Sequence, residues 1–321
     1  MRDAASTLPA CLASLRAQTF ADFEVIAVDD GSRDKSAAVL ARAAAGDRRL
    51  RVMEGPGGLV AALNAAAAEA SGELLARMDA DDVALPARFA RQVSRLDADP
   101  ALDVLGCRVA LLDGGDLGNA GMRAYVDWSN TLLTHEALAA DMFVESPLAH
   151  PSVMMRAAAL RRLGGYRSFE GPEDYDLWLR ALGAGCRFAK CPEVLLQWRD
   201  TASRLSRTDP RYAPERFFDL KMEWFLRAEP AGAGVVVWGA GPIGKAWGRG
   251  LAARGRALRA FVEVDPRKIG RTIHGAPVIA VAAAGAFGGE VHLAAVGRSE
   301  ARRRIRAAAA ALGIERVIAV A

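Results

Sequence analysis

Two short apolar runs, each ending in acidic residues and each followed by a helical pattern, place the strongest constraint on the fold of this chain. The run FEVIAV (23–28) is rich in β-branched residues and leads directly into DDGS (29–32). The run LLARM (74–78) leads in the same way into DADD (79–82). This strand–loop–helix alternation predicts an α/β domain with a mostly parallel sheet. Because ligands bind beyond the carboxyl ends of the strands in such sheets, both acidic loops are expected at a binding site.

Asp79 and Asp81 are candidate metal ligands. Two carboxylates one residue apart, in a loop after a buried strand, can point the same way and share one ion. Hard cations such as Mg²⁺ or Mn²⁺ take oxygen ligands and can neutralise the charge that develops on a diphosphate leaving group. The alternative for an isolated DxD sequence is a polar loop with turn-forming aspartates.

Asp29 and Asp30 form a second acidic pair at a strand end. Their carboxylates could hydrogen-bond the base or ribose of a nucleotide. They could equally cap the following helix together with Ser32, which is a frequent use of Asp and Ser at this position. The sequence leaves these two interpretations open.

Glu173 and Asp174 open a predicted helix and form a third acidic pair. Apolar residues follow Asp174 at spacings of 3, 4, 7 and 8, namely Leu177, Trp178, Ala181 and Leu182. Asp174 therefore lies on the apolar stripe of the helix, facing the domain interior or a cleft. A partly desolvated carboxylate there suits general-base work. The alternative is an acid favoured only by the helix dipole.

Taken together, these clusters resemble the family 2 glycosyltransferases, which have the GT-A fold, over about residues 1–225. The stretches that carry the resemblance are VDDGSRDKS (28–36), ASGELLARMDADD (70–82), HPSVMMR (150–156), GGYRSFEGPEDYDLWLRALGAG (164–185) and LLQWRDTASRLSR (195–207). The resemblance implies that the chain transfers a sugar from a nucleotide-sugar donor to a hydroxyl of a sugar, lipid-linked or protein acceptor. It also implies a Mg²⁺ or Mn²⁺ cofactor and a place in surface polysaccharide or glycoconjugate synthesis.

The same resemblance assigns roles to individual acids. It implies that Asp29 or Asp30 contacts the nucleotide base, and that Asp79 and Asp81 hold the ribose and the metal–diphosphate. Asp174 is implied to deprotonate the acceptor hydroxyl, so that in-line attack on the anomeric carbon inverts its configuration.

Further residues are implied near the acceptor and the diphosphate. Glu173 would lie near the acceptor, and His150 would face the diphosphate or acceptor unless its role is structural. Gln197, Trp198 and Arg199 occupy the region where relatives place groups near the diphosphate. These three residues do not complete a QxxRW signature, which argues against a processive polymer synthase.

The chain departs from the family at its beginning. Relatives start with an apolar strand that helps to bind the nucleotide, and this strand is missing before the helical pattern at residues 3–18. Met1 to Ala4 reads like the end of the turn that follows such a strand. We therefore expect the true start of the protein to lie upstream.

A second α/β unit follows a linker. We predict a GT-A domain over 1–228, a linker over 229–234 and a Rossmann-like domain over 235–321. The segment VVVWGAGPIGKAWG (235–248) fits strand–GxGxxG–helix, with a phosphate loop formed by Gly239, Gly241 and Gly244.

This unit is similar to the small nucleotide-binding domain of some bacterial sugar acyltransferases, which implies a nucleotide ligand. Glu263 and Asp265 follow the next predicted strand, near the distance expected for a ribose-binding acid. A docking module that binds nothing is the alternative.

Two other functions fit part of the sequence. A NAD(P)-linked oxidoreductase acting on nucleotide sugars would use the C-terminal unit as its catalytic core, but that unit shows no Tyr-x-x-x-Lys or comparable proton donor. A non-catalytic nucleotide-sugar sensor would explain a missing first strand. Metal-dependent hydrolysis of the donor separates the transferase from both.

Composition sets limits on location and partners. The net charge of +4 and the pI near 9.0 reflect a mild excess of basic residues, which are spread through the chain. No nucleic-acid-binding motif is found. No apolar run reaches the length of a membrane span and no signal peptide is visible. The four cysteines form no CxxC pair, which suits a reducing cytoplasm. We expect a cytoplasmic protein, peripheral at the inner face of the membrane if it works there.

Overall fold

The computed structural model describes residues 1–112, 120–202, 204–230 and 232–321 as two compact units. Unit 1 comprises Met1–Leu138 and Leu148–Ala213. Unit 2 comprises Ala139–Pro147 and Pro214–Ala321. None of the helices in these ranges combines the length and apolar character needed to span a bilayer.

The N-terminal part of the chain alternates strands and helices as predicted. Its strands are β1 (Val25–Asp29), β2 (Leu50–Glu54), β3 (Leu74–Ala76), β4 (Val83–Ala84), β5 (Leu102–Leu112), β6 (Met154–Arg156) and β7 (Arg187–Arg199). Its helices are α1 (Leu8–Arg16), α2 (Ser36–Gly46), α3 (Leu59–Glu69), α4 (Arg88–Ala98), α5 (Ala120–Thr131), α6 (His135–Ala140), α7 (Ala157–Arg162), α8 (Glu173–Gly183) and α9 (Leu205–Thr208).

These strands form two sheets. β1 and β2 pair in parallel, and a five-stranded sheet has the order β3-β6-β5-β7-β4. β5 and β7 run parallel at the centre of the larger sheet, whereas β3, β4 and β6 pair antiparallel to their neighbours. Residues of β5 are buried on both faces, as Val104 and Leu105 are both 0% exposed. The two runs that predicted the α/β fold are less buried, since Val28 is the buried residue of β1 and no residue of β3 is fully buried.

The edge of β1 that faces away from β2 pairs with the first residue of the chain. The Met1 ammonium donates to Val28 O at 2.7 Å, and Asp30 N donates to Met1 O at 2.9 Å. Within the described ranges no further strand pairs with β1.

Unit 2 contains a single six-stranded sheet with helices on it. Its elements are α10 (Pro214–Ala228), β8 (Val235–Trp238), α11 (Pro242–Ala253), β9 (Leu258–Glu263), β10 (Thr272–Ile273), β11 (Ala276–Ala280), β12 (Val291–Ala294), α12 (Ser299–Ala311) and β13 (Val317–Ala319). The strand order is β10-β11-β9-β8-β12-β13, with every pairing parallel except that of β10. This is the predicted Rossmann-like arrangement.

Unit 2 begins earlier than the predicted linker at 229–234, of which Ala231 lies outside the described residues. Met222 and Phe225 of α10 are 0% exposed and pack in the core around β8 and α11. The segment Ala139–Pro147 also belongs to unit 2, where Asp141 pairs with Arg306 at 3.1 Å. Helical periodicity shows that a helix buries one face, but not which of two cores receives it.

A buried histidine makes the stability of unit 2 dependent on pH. Trp238 Nε1 donates to His292 Nδ1 at 2.9 Å, and His292 Nε2 lies 3.0 Å from Phe287 O, so the ring is neutral with its proton on Nε2. Burial lowers the pKa of His292 below the ordinary 6.5. The unfolded state therefore binds more protons below about pH 6.5, and stability is lost as the pH falls further.

We expect the urea midpoint of unit 2, followed by tryptophan fluorescence, to fall between pH 7.5 and pH 5.5, on either side of the ordinary histidine pKa of about 6.5. In His292→Gln, which keeps one donor and one acceptor, this fall should be smaller. An equal fall in both proteins would contradict the assignment.

Candidate active site

The acidic loop between β3 and β4 brings three carboxylates together. One oxygen each from Asp79, Asp81 and Asp82 lies within 4.8 Å of the others. Arg199, at the end of β7, holds this loop, since its main-chain N donates to Asp82 Oδ1 at 2.7 Å and its Nε donates to Asp81 O at 2.9 Å. Asp82 is 0% exposed, and its Oδ2 has no hydrogen-bond partner among the described residues.

The electrostatics of this loop favour a cation. Burial, and then the charge of Asp79, raise the pKa of Asp81. The same two causes raise the pKa of Asp82 to about 8. Crowded carboxylates of this kind are relieved by a divalent ion, and an all-oxygen donor set fits Mg²⁺ or Mn²⁺. Asp79 and Asp81 were predicted for this role, and Asp82 joins them in the structure.

The two acids that end β1 make local hydrogen bonds. Asp29 Oδ1 accepts from Ser32 N at 3.1 Å and from the Ser32 hydroxyl. Asp30 accepts from Gly57 N at 2.9 Å and Gly58 N at 2.7 Å, at the start of α3. Neither acid caps α2, which begins at Ser36 without a side-chain cap: Asp29 closes a turn with Ser32, and Asp30 binds the glycine loop that precedes α3.

The first residue lies among both acidic loops. Burial is the main cause that lowers the pKa of the Met1 ammonium, followed by Arg77. The carboxylates of Asp30, Asp79 and Asp29 oppose that shift. The loops after β1 and β3 are thus neighbours, as their positions at strand ends predicted.

The Glu173–Asp174 pair lies at the first turn of α8. Glu173 is 4% exposed, and its Oε2 accepts a hydrogen bond of 2.6 Å from the Tyr212 hydroxyl. Burial, and then the adjacent Glu173, raise the pKa of Asp174 to about 7. Leu177 and Trp178, which define the predicted apolar stripe, are both 0% exposed. A carboxylate with a pKa near neutrality can both accept and release a proton at physiological pH.

Arg77 connects the acidic loop with this pair. Its Nη1 lies 2.5 Å from Asp79 Oδ1, and its charge acts on both Glu173 and Asp174. The Arg77 Nε is buried without a partner among the described residues. Sequence reasoning missed this residue because an arginine inside an apolar strand pattern carries no signal of its own.

His150 lies near the same pair but is engaged in the core. Its Nε2 is 2.8 Å from the Tyr166 hydroxyl, and its ring stands edge-on to Trp178 at 6.0 Å. Burial, and then Arg77, lower its pKa well below 6.5. His150 is thus a neutral hydrogen-bonding group.

A cavity of about 360 Å³ lies beside Tyr166. Asn64 fixes the Tyr166 backbone through bonds of 2.8 and 2.9 Å. The cavity is lined by Gly57, Gly58, Leu59, Val60, Ala61, Asn64, Tyr166, Ser168 and Arg211.

The three residues predicted near a diphosphate have different surroundings. Gln197 pairs with Val83 between β7 and β4, and Arg199 braces the acidic loop. Trp198 is 7% exposed, and the Arg204 guanidinium lies 4.3 Å from its ring centroid. Arg204 also acts on Asp81 by its charge. Arg204 lies inside the stretch 195–207 that carries the family resemblance, but it was not among the predicted site residues.

The glycines of the second unit form a tight turn before α11. Gly239 has φ +102°, and a Cβ on Gly244 would lie 1.8 Å from Gly239 O. Gly241 precedes the first helical residue. A cavity of about 450 Å³ opens there, lined by Ala240, Gly241, Pro242, Lys245, Arg249, Lys268 and His274. The acid at the end of β9, Glu263, is bound by Lys268 at 2.5 Å.

A buried ion pair fixes α8 and hence the acidic pair. Arg180 Nε donates to Asp176 Oδ2 at 2.7 Å, and its other nitrogens donate to Leu163 O and Gly165 O at 2.7 and 2.8 Å. Arg180→Met leaves the Asp176 charge buried and unpaired, which costs roughly 3 kcal/mol. We expect a matching fall in the free energy of unfolding by urea titration. A change below about 1 kcal/mol, typical of a surface pair, would contradict this.

The fold and the site define a class. The carboxylate cluster suits a cation, and the buried acid pair linked to it by Arg77 suits proton transfer, which together indicate an enzyme of group transfer. Residues 1–164 of the 321 match the family described as Glycosyl transferase family 2. The chain belongs to this family of glycosyltransferases. Residues 232–321 match the family described as CoA binding domain.

Individual relatives agree with this assignment. The amylovoran biosynthesis glycosyltransferase AmsE of Erwinia amylovora is 30% identical over 194 residues, covering 60% of this chain and 70% of AmsE. The O-antigen biosynthesis glycosyltransferase WbnJ of Escherichia coli is 29% identical over 190 residues, covering 58% and 71%.

A solved structure shares the fold. The mannosyltransferase PcManGT of Pyrobaculum calidifontis, in complex with GDP-Man and Mn²⁺, matches with a TM-score of 0.53 at 21% identity. The match covers 70% of this chain and 61% of that structure, less than two thirds of its length.

Proposed function

We propose that this protein transfers a sugar from a nucleotide-sugar donor to an acceptor hydroxyl with inversion, in a reaction that requires a divalent cation. The observation that carries the proposal is the juxtaposition of two acidic groups through Arg77. Its Nη1 lies 2.5 Å from Asp79, and its charge acts on Asp174. The Asp79 group suits a metal ion and the diphosphate of the donor, and the Asp174 group suits a proton acceptor. An inverting transfer needs the two groups close together, because the acceptor hydroxyl loses its proton as the diphosphate leaves.

The proton acceptor is Asp174. Its carboxylate takes the proton of the acceptor hydroxyl while that oxygen forms the new bond to the anomeric carbon. The bond from that carbon to the diphosphate oxygen breaks, and the nucleoside diphosphate leaves with the electron pair. A pKa of about 7 keeps a sufficient fraction of Asp174 ionised while leaving it basic enough to help.

Asp79 and Asp81 would hold the cation, with Asp82 as a further oxygen donor. Bound there, Mg²⁺ or Mn²⁺ supplies positive charge that stabilises the departing diphosphate. The clustered oxygens and the unpartnered Asp82 Oδ2 support this fit. Arg204, stacked on Trp198, supplies a protein cation for the same diphosphate. We further propose that Asp79 contacts the ribose of the nucleotide and that Asp29 or Asp30 contacts its base.

The setting we propose is synthesis of a surface polysaccharide or glycoconjugate. AmsE and WbnJ carry such processes in their names, and PcManGT holds GDP-Man, which supports a nucleotide-sugar donor here. The acceptor is a sugar, lipid-linked or protein hydroxyl. A net charge of +4 suits an anionic membrane surface, so we place the protein in the cytoplasm, peripheral to the membrane.

For unit 2 we propose a nucleotide ligand at the turn formed by Gly239, Gly241 and Gly244. The basic groups Lys245, Arg249 and Lys268 around that cavity favour phosphates. Calorimetric titration with CoA, NAD, NADP and UDP tests this, and Gly244→Ala, whose Cβ would lie 1.8 Å from Gly239 O and force the turn to move, is the variant that should lose binding.

The donor is found with a panel. Release of nucleoside diphosphate is measured from UDP-, GDP- and dTDP-sugars with Mn²⁺ or Mg²⁺, and again with EDTA. We expect release from one nucleotide class that EDTA abolishes. Donor binding without release, in the presence of acceptor-rich membrane extract, would favour a nucleotide-sugar sensor instead. A change in nicotinamide fluorescence would favour the oxidoreductase.

A further inference from the structure

The phenol that binds Glu173 comes from a distant part of the chain. Tyr212 lies 39 residues beyond Glu173, just before the end of unit 1 at Ala213. Its hydroxyl donates to Glu173 Oε2 at 2.6 Å, a short hydrogen bond of the kind that charged acceptors form. No sequence motif joins these two residues, so only the fold reveals the contact.

Glu173 needs this donor because it is buried beside another acid. It is 4% exposed, and its neighbour Asp174 carries the proposed catalytic proton. A buried carboxylate without a donor is costly and tends to take up a proton. Burial and the charge of Glu173 raise the pKa of Tyr212, so this phenol stays protonated and can donate throughout the neutral range.

The phenol is held in place by its own segment. Residues Pro210–Tyr212 form a 3₁₀ turn in which the Asp209 side chain accepts a hydrogen bond from Arg211 N at 2.9 Å. Asp209 also binds the Arg211 guanidinium through Nε at 3.0 Å and Nη2 at 2.6 Å. The hydroxyl is therefore positioned in advance, rather than recruited from solvent.

We propose that Tyr212 is a positioning residue that holds the Glu173 carboxylate in place beside Asp174, so that Asp174 is the member of the pair that binds and releases the proton. The inference rests on the proposed function, in which Asp174 is the base. The charge of Glu173 is one of the causes that raise the pKa of Asp174. Without the phenol, the Glu173 carboxylate is no longer held beside Asp174, its field at Asp174 weakens, and Asp174 becomes a weaker base.

The other charged groups around Glu173 and Asp174 are unchanged when only the Tyr212 hydroxyl is removed. Arg77 faces both acids from the end of β3, and Arg211 acts on Glu173 from the 3₁₀ turn. The charges of both acids and of Arg180 act on the Tyr166 phenol. A substitution confined to the Tyr212 hydroxyl leaves all of them in place.

The test is a double-mutant cycle read by carboxyl ¹³C NMR titration of Asp174 in the full chain. Tyr212→Phe, Glu173→Gln and the double variant are compared with wild type. We expect the Asp174 midpoint to move to lower pH in Tyr212→Phe and further in Glu173→Gln. The double variant should match Glu173→Gln, because Tyr212 acts only through Glu173.

Catalysis gives the second readout. With GDP-mannose or UDP-glucose and Mn²⁺, we expect kcat of Tyr212→Phe to fall by roughly tenfold, the value of one hydrogen bond to a charged group, with KM unchanged. An Asp174 midpoint equal to wild type in Tyr212→Phe, or shifts that add in the double variant, would overturn the proposal. If the wild type turns over no donor, or Asp174→Asn stays active, the proposed function fails, while the NMR cycle still decides the role of Tyr212.

Discussion

Asp174→Asn is expected to lower kcat by about a thousandfold, within the range attributed to general-base catalysis, while the affinity for the donor stays within a factor of about two. Asparagine keeps the size of the side chain but cannot accept the proton of the acceptor hydroxyl. The donor contacts assigned to the loop after β3 are untouched. Initial rates and donor binding by calorimetry measure the two quantities separately.

A matched control comes from the same region of the chain. Glu170 is exposed and lies one turn before α8, so Glu170→Gln removes a carboxylate without removing the proposed base. Thermal unfolding should show that Asp174→Asn is at least as stable as wild type, because burial and Glu173 disfavour the Asp174 charge. Wild-type kcat in Asp174→Asn would show that another group takes the proton.

Asp81→Ala is expected to remove metal-dependent activity, with a loss of about a thousandfold if the cation supplies several kcal/mol of transition-state stabilisation. The folded protein should not lose stability without metal. Burial and the charge of Asp79 raise the pKa of Asp81, so its ionised form at neutral pH opposes folding. Removing it relieves that repulsion.

The measurement is a Mn²⁺ titration of nucleoside diphosphate release, paired with thermal unfolding in EDTA. Asp97→Ala, which removes an exposed acid of α4, is the control and should behave as wild type. If Asp81→Ala still responded to Mn²⁺ and its activation midpoint in the Mn²⁺ titration equalled that of wild type, the cation would bind elsewhere.

Local pattern was sufficient to find the acids. Asp79 and Asp81 follow a short strand pattern, and Asp174 lies on the apolar stripe of a helix, so each position followed from periodicity within a short segment. The glycine turn before α11 was found in the same way, because GxGxxG must follow a strand and open a helix to be meaningful. Family resemblance then supplied roles that spacing alone left open.

Contacts between segments that are distant in the chain could not be predicted from local sequence patterns. Arg77 and Tyr212 meet the acid pair from segments about a hundred and about forty residues away in the chain. Likewise, no local pattern indicates that Ala139–Pro147 packs in unit 2, since Asp141 and its partner Arg306 are 165 residues apart. Such pairings depend on how the strands are ordered, which a single sequence does not specify.

The central claim is a single displacement at the anomeric carbon by a hydroxyl that Asp174 deprotonates. Its most direct test is the anomeric configuration of the first product formed from the donor that the panel identifies, read by ¹H NMR before the product can equilibrate. The account predicts inversion, so that an α-linked nucleotide sugar gives a β-configured product. Retention of configuration would contradict it, because retention requires two displacements or a different mechanism.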